Sequence, residues 1–404
     1  MDAIFAENMD QEMQRRLEPC LDEIVSQAPD VDRGGEFPAK NFELLHEHDV
    51  LNITAASEHG GLDAGITSNR AYYAATAQLG AACSSTAQCF STHSIALAIT
   101  RVLGTAEQHE RYARAVADGA IFGYYGSEPD QEFDSDSGDR VRYNAEARQV
   151  DDGWIIDADK FFATNSTHAD YHMLHVMEAG SEDMTGLLPV IVPAGADGVT
   201  IEDTWDGMGQ RATASGIAKF DGVHISDENV IGEPGDLIEH GLIGFNFQLL
   251  FAAIFVGLAK GAFEFTTWYL ENESKPPSDL ESLAHDPHVQ LHVGEMDIDI
   301  RAAWELVDRA AQLLDETEGG ANAEALSNMG TAVYRAKVKS SEVSIDVANR
   351  LFQICGARST SRQFDADRFW RNARTLTLHD ILDKQKTSVA KDALGIEEQQ
   401  ASTR

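Results

Sequence analysis

Lysine and cysteine are both scarce in this sequence. Of 404 residues, 31 are Lys or Arg and only 10 of these are lysine, against 67 Asp or Glu, so the net charge is -36. Nucleic-acid binding is excluded on that ground, because phosphate contacts need a basic surface. The acids are spread along the chain and form no tail, which predicts a carboxylate-rich, lysine-poor surface suited to concentrated salt, that of a halophilic, cytoplasmic protein. Cys20, Cys83, Cys89 and Cys355 form no CxxC pair and no zinc-like spacing with histidine. A disulfide framework is therefore excluded and the thiols are expected to be reduced. No HExxH pattern occurs, and His172 and His175 alternate onto opposite faces of one strand, so no metal is expected. The N-terminus lacks a basic n-region and a continuous apolar stretch, and no uninterrupted apolar run reaches about 18 residues. These absences predict an unexported, soluble chain with no membrane partner.

What is present can build a large core. Hydrophobic residues make up 43% of the chain, enough to fill two or three domains of this length. The periodicity divides into three parts, an α+β multidomain chain. Residues 1–120 read as a helical domain, with an amphipathic helix over Met9 to Ala28, an Ala, Ser and Leu-rich helical stretch over Ala71 to Leu103, and a helix over Thr105 to Asp118 that starts at a Thr cap. Residues 121–236 switch to a period of two, in runs such as Trp154 to Ala158, His172 to Met177, Leu187 to Val192 and Gly216 to Phe220. They predict a small β-barrel or sandwich. Residues 237–404 return to long helices, over Phe245 to Glu273, His288 to Asp315, Asn322 to Cys355 and about Asp380 to Leu394, which suit a four-helix bundle. The Lys275-Pro-Pro-Ser break between the first two is sharp, because proline cannot donate and restricts its predecessor.

Site chemistry concentrates near the C-terminus, in Phe369-Trp-Arg-Asn-Ala-Arg-Thr-Leu-Thr-Leu-His379-Asp380. Arg368, Arg371 and Arg374 recur three apart, on or near one helix face. An imidazole beside a carboxylate then follows. Upstream stand Glu58-His-Gly-Gly-Leu, Gly104-Thr-Ala-Glu-Gln-His-Glu-Arg-Tyr, Ser127-Glu-Pro, Asp159-Lys-Phe-Phe-Ala-Thr-Asn and Gly207-Met-Gly-Gln-Arg-Ala-Thr. Each is weak alone. In this order, over nearly the full length, they resemble the acyl-CoA dehydrogenase superfamily. The closing segment resembles the branch of flavin-dependent monooxygenases related to dibenzothiophene monooxygenase, whose signature F-W-R-N-A-R-T-x-T-L-H-D it matches over about a dozen positions.

The resemblance implies a flavoprotein oxidoreductase, a homotetramer, with Ser127, Phe162 and Thr164 as flavin contacts. It implies a two-component monooxygenase in which a separate flavin reductase supplies reduced flavin for reaction with dioxygen, and the hydrophobic small-molecule substrate is oxygenated. In that branch the protein holds and protonates a flavin hydroperoxide, a task that suits a near-neutral imidazole. His379 is accordingly cast as hydrogen-bond donor to hydroperoxide or substrate. Asp380 is its orienting partner or a helix cap. Two other readings stand beside it: an FAD-dependent acyl-CoA dehydrogenase with Asp380 as base, and a non-catalytic member of the fold. The family's E-G-T base motif is absent, and Asp380 is one methylene shorter than its glutamate. Related monooxygenases have serine where this chain has Ala163.

The cofactor's phosphate end also departs from the pattern. Where FAD enzymes carry an arginine and a Q-x-x-G-G-x-G run, this chain has Glu271-Asn-Glu-Ser-Lys275-Pro-Pro and Gln353-Ile-Cys-Gly-Ala-Arg358. Lys275 and Arg358 are left as phosphate contacts, and FMN is favoured over FAD. His93, where both branches often have histidine, is a candidate substrate-pocket residue; its plain structural reading is a core histidine, as that of Phe162 is a barrel-core aromatic.

Overall fold

The computed structural model describes residues 4–66, 68–129, 142–275, 278, 280–317 and 323–396. The N-terminal part is helical. Asp10 caps α1 (Gln11–Gly34), its carboxylate accepting from the Met13 N–H at 2.8 Å, and α2 (Ala39–Glu47) follows. The stretch expected as one helical region from Ala71 to Leu103 is two helices, α3 (Asn69–Ala82) and α4 (Ser84–Leu103). Cys83 divides them by adopting an extended conformation, φ -156 and ψ 107. Both are buried on nearly every side, as their small and apolar residues require. α5 (Ala106–Ala117) begins at the expected Thr105, which forms a full capping box with Gln108.

Among the described residues seven strands follow: β1 (Phe122–Tyr125), β2 (Glu146–Val150), β3 (Gly153–Ala163), β4 (Tyr171–Glu178), β5 (Leu187–Pro193), β6 (Val199–Glu202) and β7 (Gly216–Ile225). They form one curled sheet in the order β1-β4-β2-β3-β7-β6, with β5 paired to β4. β4 and β5 are buried on both faces and do not alternate. The reason is a double core: Leu174, Val176, Leu188 and Val190 point into the sheet's own interior, while Met173, Met177, Leu187 and Ile191 join the core of the helices. Alternation is lost where both faces meet apolar surface.

The C-terminal part contains α6 (Asp236–His240), α7 (Leu242–Asn272), α8 (Pro287–Glu316), α9 (Ala323–Cys355), α10 (Asp367–Leu376) and α11 (Leu382–Leu394). The four long helices of the expected bundle are α7, α8, α9 and α11, the last starting two residues later than expected. α7 has the length and apolarity to cross a bilayer, yet 83% of its most apolar window is buried in the protein, against α3, α8 and α9. Its glycines bring it close to α3: a Cβ on Gly257 would strike the Ala77 carbonyl, and one on Gly261 the Ala81 carbonyl. The architecture is thus the expected helical, β and four-helix-bundle arrangement.

Candidate active site

The turn between α10 and α11 carries His379 and Asp380 against the first turns of α7. The His379 ring stacks on Phe251, centroids 3.9 Å apart and planes 23° apart, and meets Phe247 edge-on at 5.6 Å. Among the described residues no protein group hydrogen-bonds either of its ring nitrogens. The ring keeps a solvent-reachable face, yet dense surrounding protein, and then the Lys337 ammonium, push its pKa below the usual histidine range while Asp380 pulls the other way. The imidazole is neutral near pH 7.

Asp380 accepts three hydrogen bonds. Its Oδ1 accepts from the Ile381 N–H at 2.7 Å, and its Oδ2 accepts from Gln385 Nε2 at 2.7 Å and Lys337 Nζ at 3.2 Å. Burial works to raise its pKa, but Lys337 and the Ile381 N–H outweigh that and hold the carboxyl below its ordinary value. Lys337, on α9, also donates to Gln248 Oε1 of α7. Sequence reasoning missed Lys337, Gln248 and Gln385. No sequence signal marks them, since polar residues within amphipathic helices read as solvent-facing.

The second half of the site is the junction of β1 and β3. The Phe161 N–H donates to the Ser127 carbonyl at 3.0 Å, setting Ser127 beside the end of β3. There the ladder with β7 skips a residue between Phe161 and Ala163, and Phe162 takes φ +54. This bulge turns the Phe162 ring out of the sheet, so it is 51% exposed and lies 6.0 Å from Trp205. The barrel-core alternative for Phe162 is thereby corrected. Thr164 is buried, its hydroxyl 2.9 Å from Ser215 Oγ and accepting from Gln88 Nε2 at 3.4 Å. From Ser215 a hydrogen-bond chain passes through Thr213 and the Gln210 backbone to Asn372 on α10. Beneath lies a buried ion pair. Lys160 donates to Glu128 and, at 2.6 Å, to the His175 carbonyl, while Glu128 accepts from the Asn144 and Ala145 N–H groups. Tyr124 joins the halves: its hydroxyl is 2.7 Å from His175 Nε2, and its ring meets Phe247 at 5.8 Å.

Other expected residues lie elsewhere. His93 is fully buried; its Nδ1 accepts from the Phe122 N–H and its Nε2 donates to the Leu51 carbonyl, both at 3.0 Å. Burial pushes its pKa down to about 4. With no free ring atom it offers a substrate nothing, which corrects its substrate-pocket assignment in favour of a core histidine. Arg358 donates to the carbonyl and carboxylate of Glu273, each at 2.8 Å, and the exposed Lys275 follows two residues later. Phe251 and Glu273 are 22 residues apart on α7, roughly 33 Å of helix. Within one chain these two cations therefore stand at the far end of the bundle from His379. Arg371 is taken up by Asp32, at 3.2 and 2.6 Å, and Arg368 by its own helix start, so neither faces a ligand.

A cavity of about 260 Å³ opens between α3, α4 and the start of α7. Ile95, Ile99, Val102, Tyr72 and Ile243 make its walls apolar, and Asn246 lines it one residue before Phe247. Its one cation, Arg101, is paired with Asp63. Among the described residues no group of three or more His, Cys, Asp or Glu gathers as a metal site.

These surfaces fit a planar, hydrogen-bonding aromatic cofactor at the β1–β3 junction. The bulge presents an exposed aromatic pair, Phe161 and Phe162, and the buried Gln88 Oε1 next to Thr164 has no partner among the described residues.

Comparison with known proteins agrees with this geometry. The family models described as acyl-CoA dehydrogenase N-terminal, middle and C-terminal domains match residues 7–120, 125–223 and 249–384. A probable FMNH2-dependent monooxygenase of Pseudomonas putida is 32% identical over 361 residues, 87% of each chain. The dibenzothiophene monooxygenase of Mycolicibacterium goodii is 27% identical over 86% of this chain and 85% of its own. The crystal structure of TdsC from Paenibacillus sp. A11-2 with FMN and indole superposes with a TM-score of 0.87 at 25% identity, covering 97% of this chain and 99% of that one.

Proposed function

The chain belongs to the acyl-CoA dehydrogenase family, and within it we propose a flavin-dependent monooxygenase that takes reduced flavin from a separate reductase and oxygenates a compact hydrophobic small molecule. The observation that carries this reading over dehydrogenation is the state of Asp380. A base that removes an α-proton needs adequate basicity, and each hydrogen bond it accepts lowers that basicity. Here both carboxylate oxygens already accept hydrogen bonds, and the group is held below its ordinary pKa.

His379 has the complementary properties. A neutral imidazole offers one N–H donor and one acceptor, and neither ring nitrogen is committed to a protein group among the described residues. It can donate a hydrogen bond from its N–H to a bound oxygen atom while the other nitrogen accepts from substrate. The stack on Phe251 and the edge of Phe247 keep bulk water from that side of the ring. Ser127, Phe162 and Thr164, with the Gln88 amide oxygen, are the groups that would hold the flavin. When bound, reduced flavin supplies the electrons and the activation of dioxygen. FMN is favoured over FAD, supported by the names of the relatives. In a homotetramer Lys275 and Arg358 would serve a neighbouring subunit's phosphate. The 260 Å³ cavity beside Asn246, apolar and with its cation neutralised, supports a small uncharged substrate.

The test is direct. Purified protein given reduced FMN and oxygen with a panel that includes indole and dibenzothiophene should yield products that gain one oxygen atom, read by mass spectrometry. In parallel, flavin-loaded protein is mixed anaerobically with acyl-CoAs. Bleaching of the flavin by an acyl-CoA, with no oxygenated product from the panel, would overturn the reading.

A further inference from the structure

Lys337 is among the most deeply buried large side chains of the molecule, 1% exposed. An ammonium in that setting costs several kcal/mol in lost hydration unless specific partners offset it. Its partners all belong to the site. It donates to Gln248 Oε1 of α7 and, at 3.2 Å, to Asp380 Oδ2, and lies 5.6 Å from the centre of the Phe251 ring on which His379 stacks. Gln385 of α11 closes the ring, its Nε2 donating to Asp380 Oδ2 at 2.7 Å and reaching Gln248 Oε1 at 3.4 Å.

We propose that Lys337 is a positioning residue for the oxygenation: its ammonium ties α9, α7 and the α10–α11 turn together, so that the His379 imidazole is held on Phe251 and kept uncharged. The role given to His379 rests on the monooxygenase reading above; the charge relationship does not.

The physical argument has two parts. An apolar side chain of similar length would occupy the same space at lower cost, so the ammonium matters through what it does to its neighbours. The charged groups that face His379 are Lys337 from α9 and Asp380 beside it in the chain, while α7 presents two aromatic rings and the Gln248 amide, and α11 the Gln385 amide. With both charges present their fields oppose at the imidazole, and the protein packed round the ring, Phe251 and Phe247 among it, keeps it neutral. Remove the ammonium and a half-buried carboxylate is left next to the ring, favouring the imidazolium. An imidazolium has no acceptor to orient a substrate. Burial pushes Lys337 itself down to about 8, so it remains largely cationic at neutral pH.

The test uses the full-length protein as purified, with Lys337→Met, Lys337→Arg, Asp380→Asn and the Lys337→Met/Asp380→Asn double variant. NMR of the imidazole gives the His379 titration, and the pH profile of kcat/KM gives its consequence. In Lys337→Met the His379 pKa should rise by about one unit or more, and the acid limb of the profile should move with it. kcat at neutral pH should fall about tenfold with KM unchanged. Lys337→Arg should keep the pKa low. Should Lys337→Met not fold, the double variant is compared with Asp380→Asn alone: the proposal expects a higher His379 pKa in the double, and identical titrations overturn it. A His379 pKa unmoved in folded Lys337→Met also overturns it. A wild-type protein that oxygenates nothing overturns the monooxygenase reading instead, and the titration still decides the charge relationship.

Discussion

The His379 ring lies on the ring of Phe251, with centroids 3.9 Å apart and planes inclined by 23°. One residue sits in the turn after α10 and the other near the start of the bundle's central helix, so the stack joins the closing sequence motif to the molecule's main core. The imidazole is held by packing, and its nitrogens are left for ligands.

Phe251→Leu keeps most of the buried volume and removes the stack. Stability should fall by about 1–2 kcal/mol, and the oxygenation rate by about tenfold. Denaturant unfolding and turnover, measured on one preparation, separate the two effects. A rate equal to wild type would mean that the stack does not position His379.

Asp380→Asn leaves Lys337 buried without an anion, so the variant should be less stable than wild type at pH 7. The sign of its pH dependence follows from the lowered folded pKa of Asp380. The carboxylate's contribution is present above the unfolded-state value and is lost as pH falls through the folded one. The stability gap between the two proteins should therefore close in strong acid. Asp380→Glu supplies the longer acid of a dehydrogenase base, and anaerobic bleaching by acyl-CoAs should still be absent because the buried Lys337 ammonium beside it still lowers the acid's basicity.

Three histidines away from the site predict acid sensitivity. Burial pushes His93, His109 and His172 each down to about 4. The unfolded chain protonates them near pH 6.5 while the folded one does not, so each costs up to about 1.4 kcal/mol per pH unit as pH falls from 6.5 to 4. Urea midpoints between pH 7 and 4.5 should fall steeply, and less steeply in His172→Gln.

Breaking the buried Lys160–Glu128 pair should cost about 3–5 kcal/mol in either single variant, Lys160→Met or Glu128→Gln, because one buried charge loses its counter-charge. The double variant should be less destabilised than their sum. Additive losses in thermal unfolding would show that the two groups do not depend on each other.

The charge of -36 predicts salt-dependent stability. Between 0.1 and 2 M KCl the melting temperature should rise, steeply at first, as the Debye length contracts from about 10 Å to below 3 Å. A melting temperature independent of salt would remove the case for a halophilic surface.

Much of the fold was legible. The Thr105 cap, the limits of α7, α8 and α9 to within a few residues, and the change from helical to strand period all follow from local chemistry. The site was legible only where its residues are adjacent in the chain. His379 and Asp380 stand together in one segment, but Lys337 is 43 residues earlier, on a helix where a lysine reads as solvent-facing. Strand alternation would bury Phe162, and only the bulge against β7 turns it outward.

Composition, caps and hydrophobic period are set by residues close in sequence, so the order of helical, β and bundle parts and the acidic surface were determined by the sequence alone. Which buried groups share a charge was decided by packing. The Lys337–Asp380 contact, the commitment of both His93 nitrogens and the roughly 33 Å of helix between the residues that hold His379 and Arg358 all depend on where α7 lies against its neighbours. Electrostatic energy depends on separation in space and on burial, and neither can be read from separation along the chain.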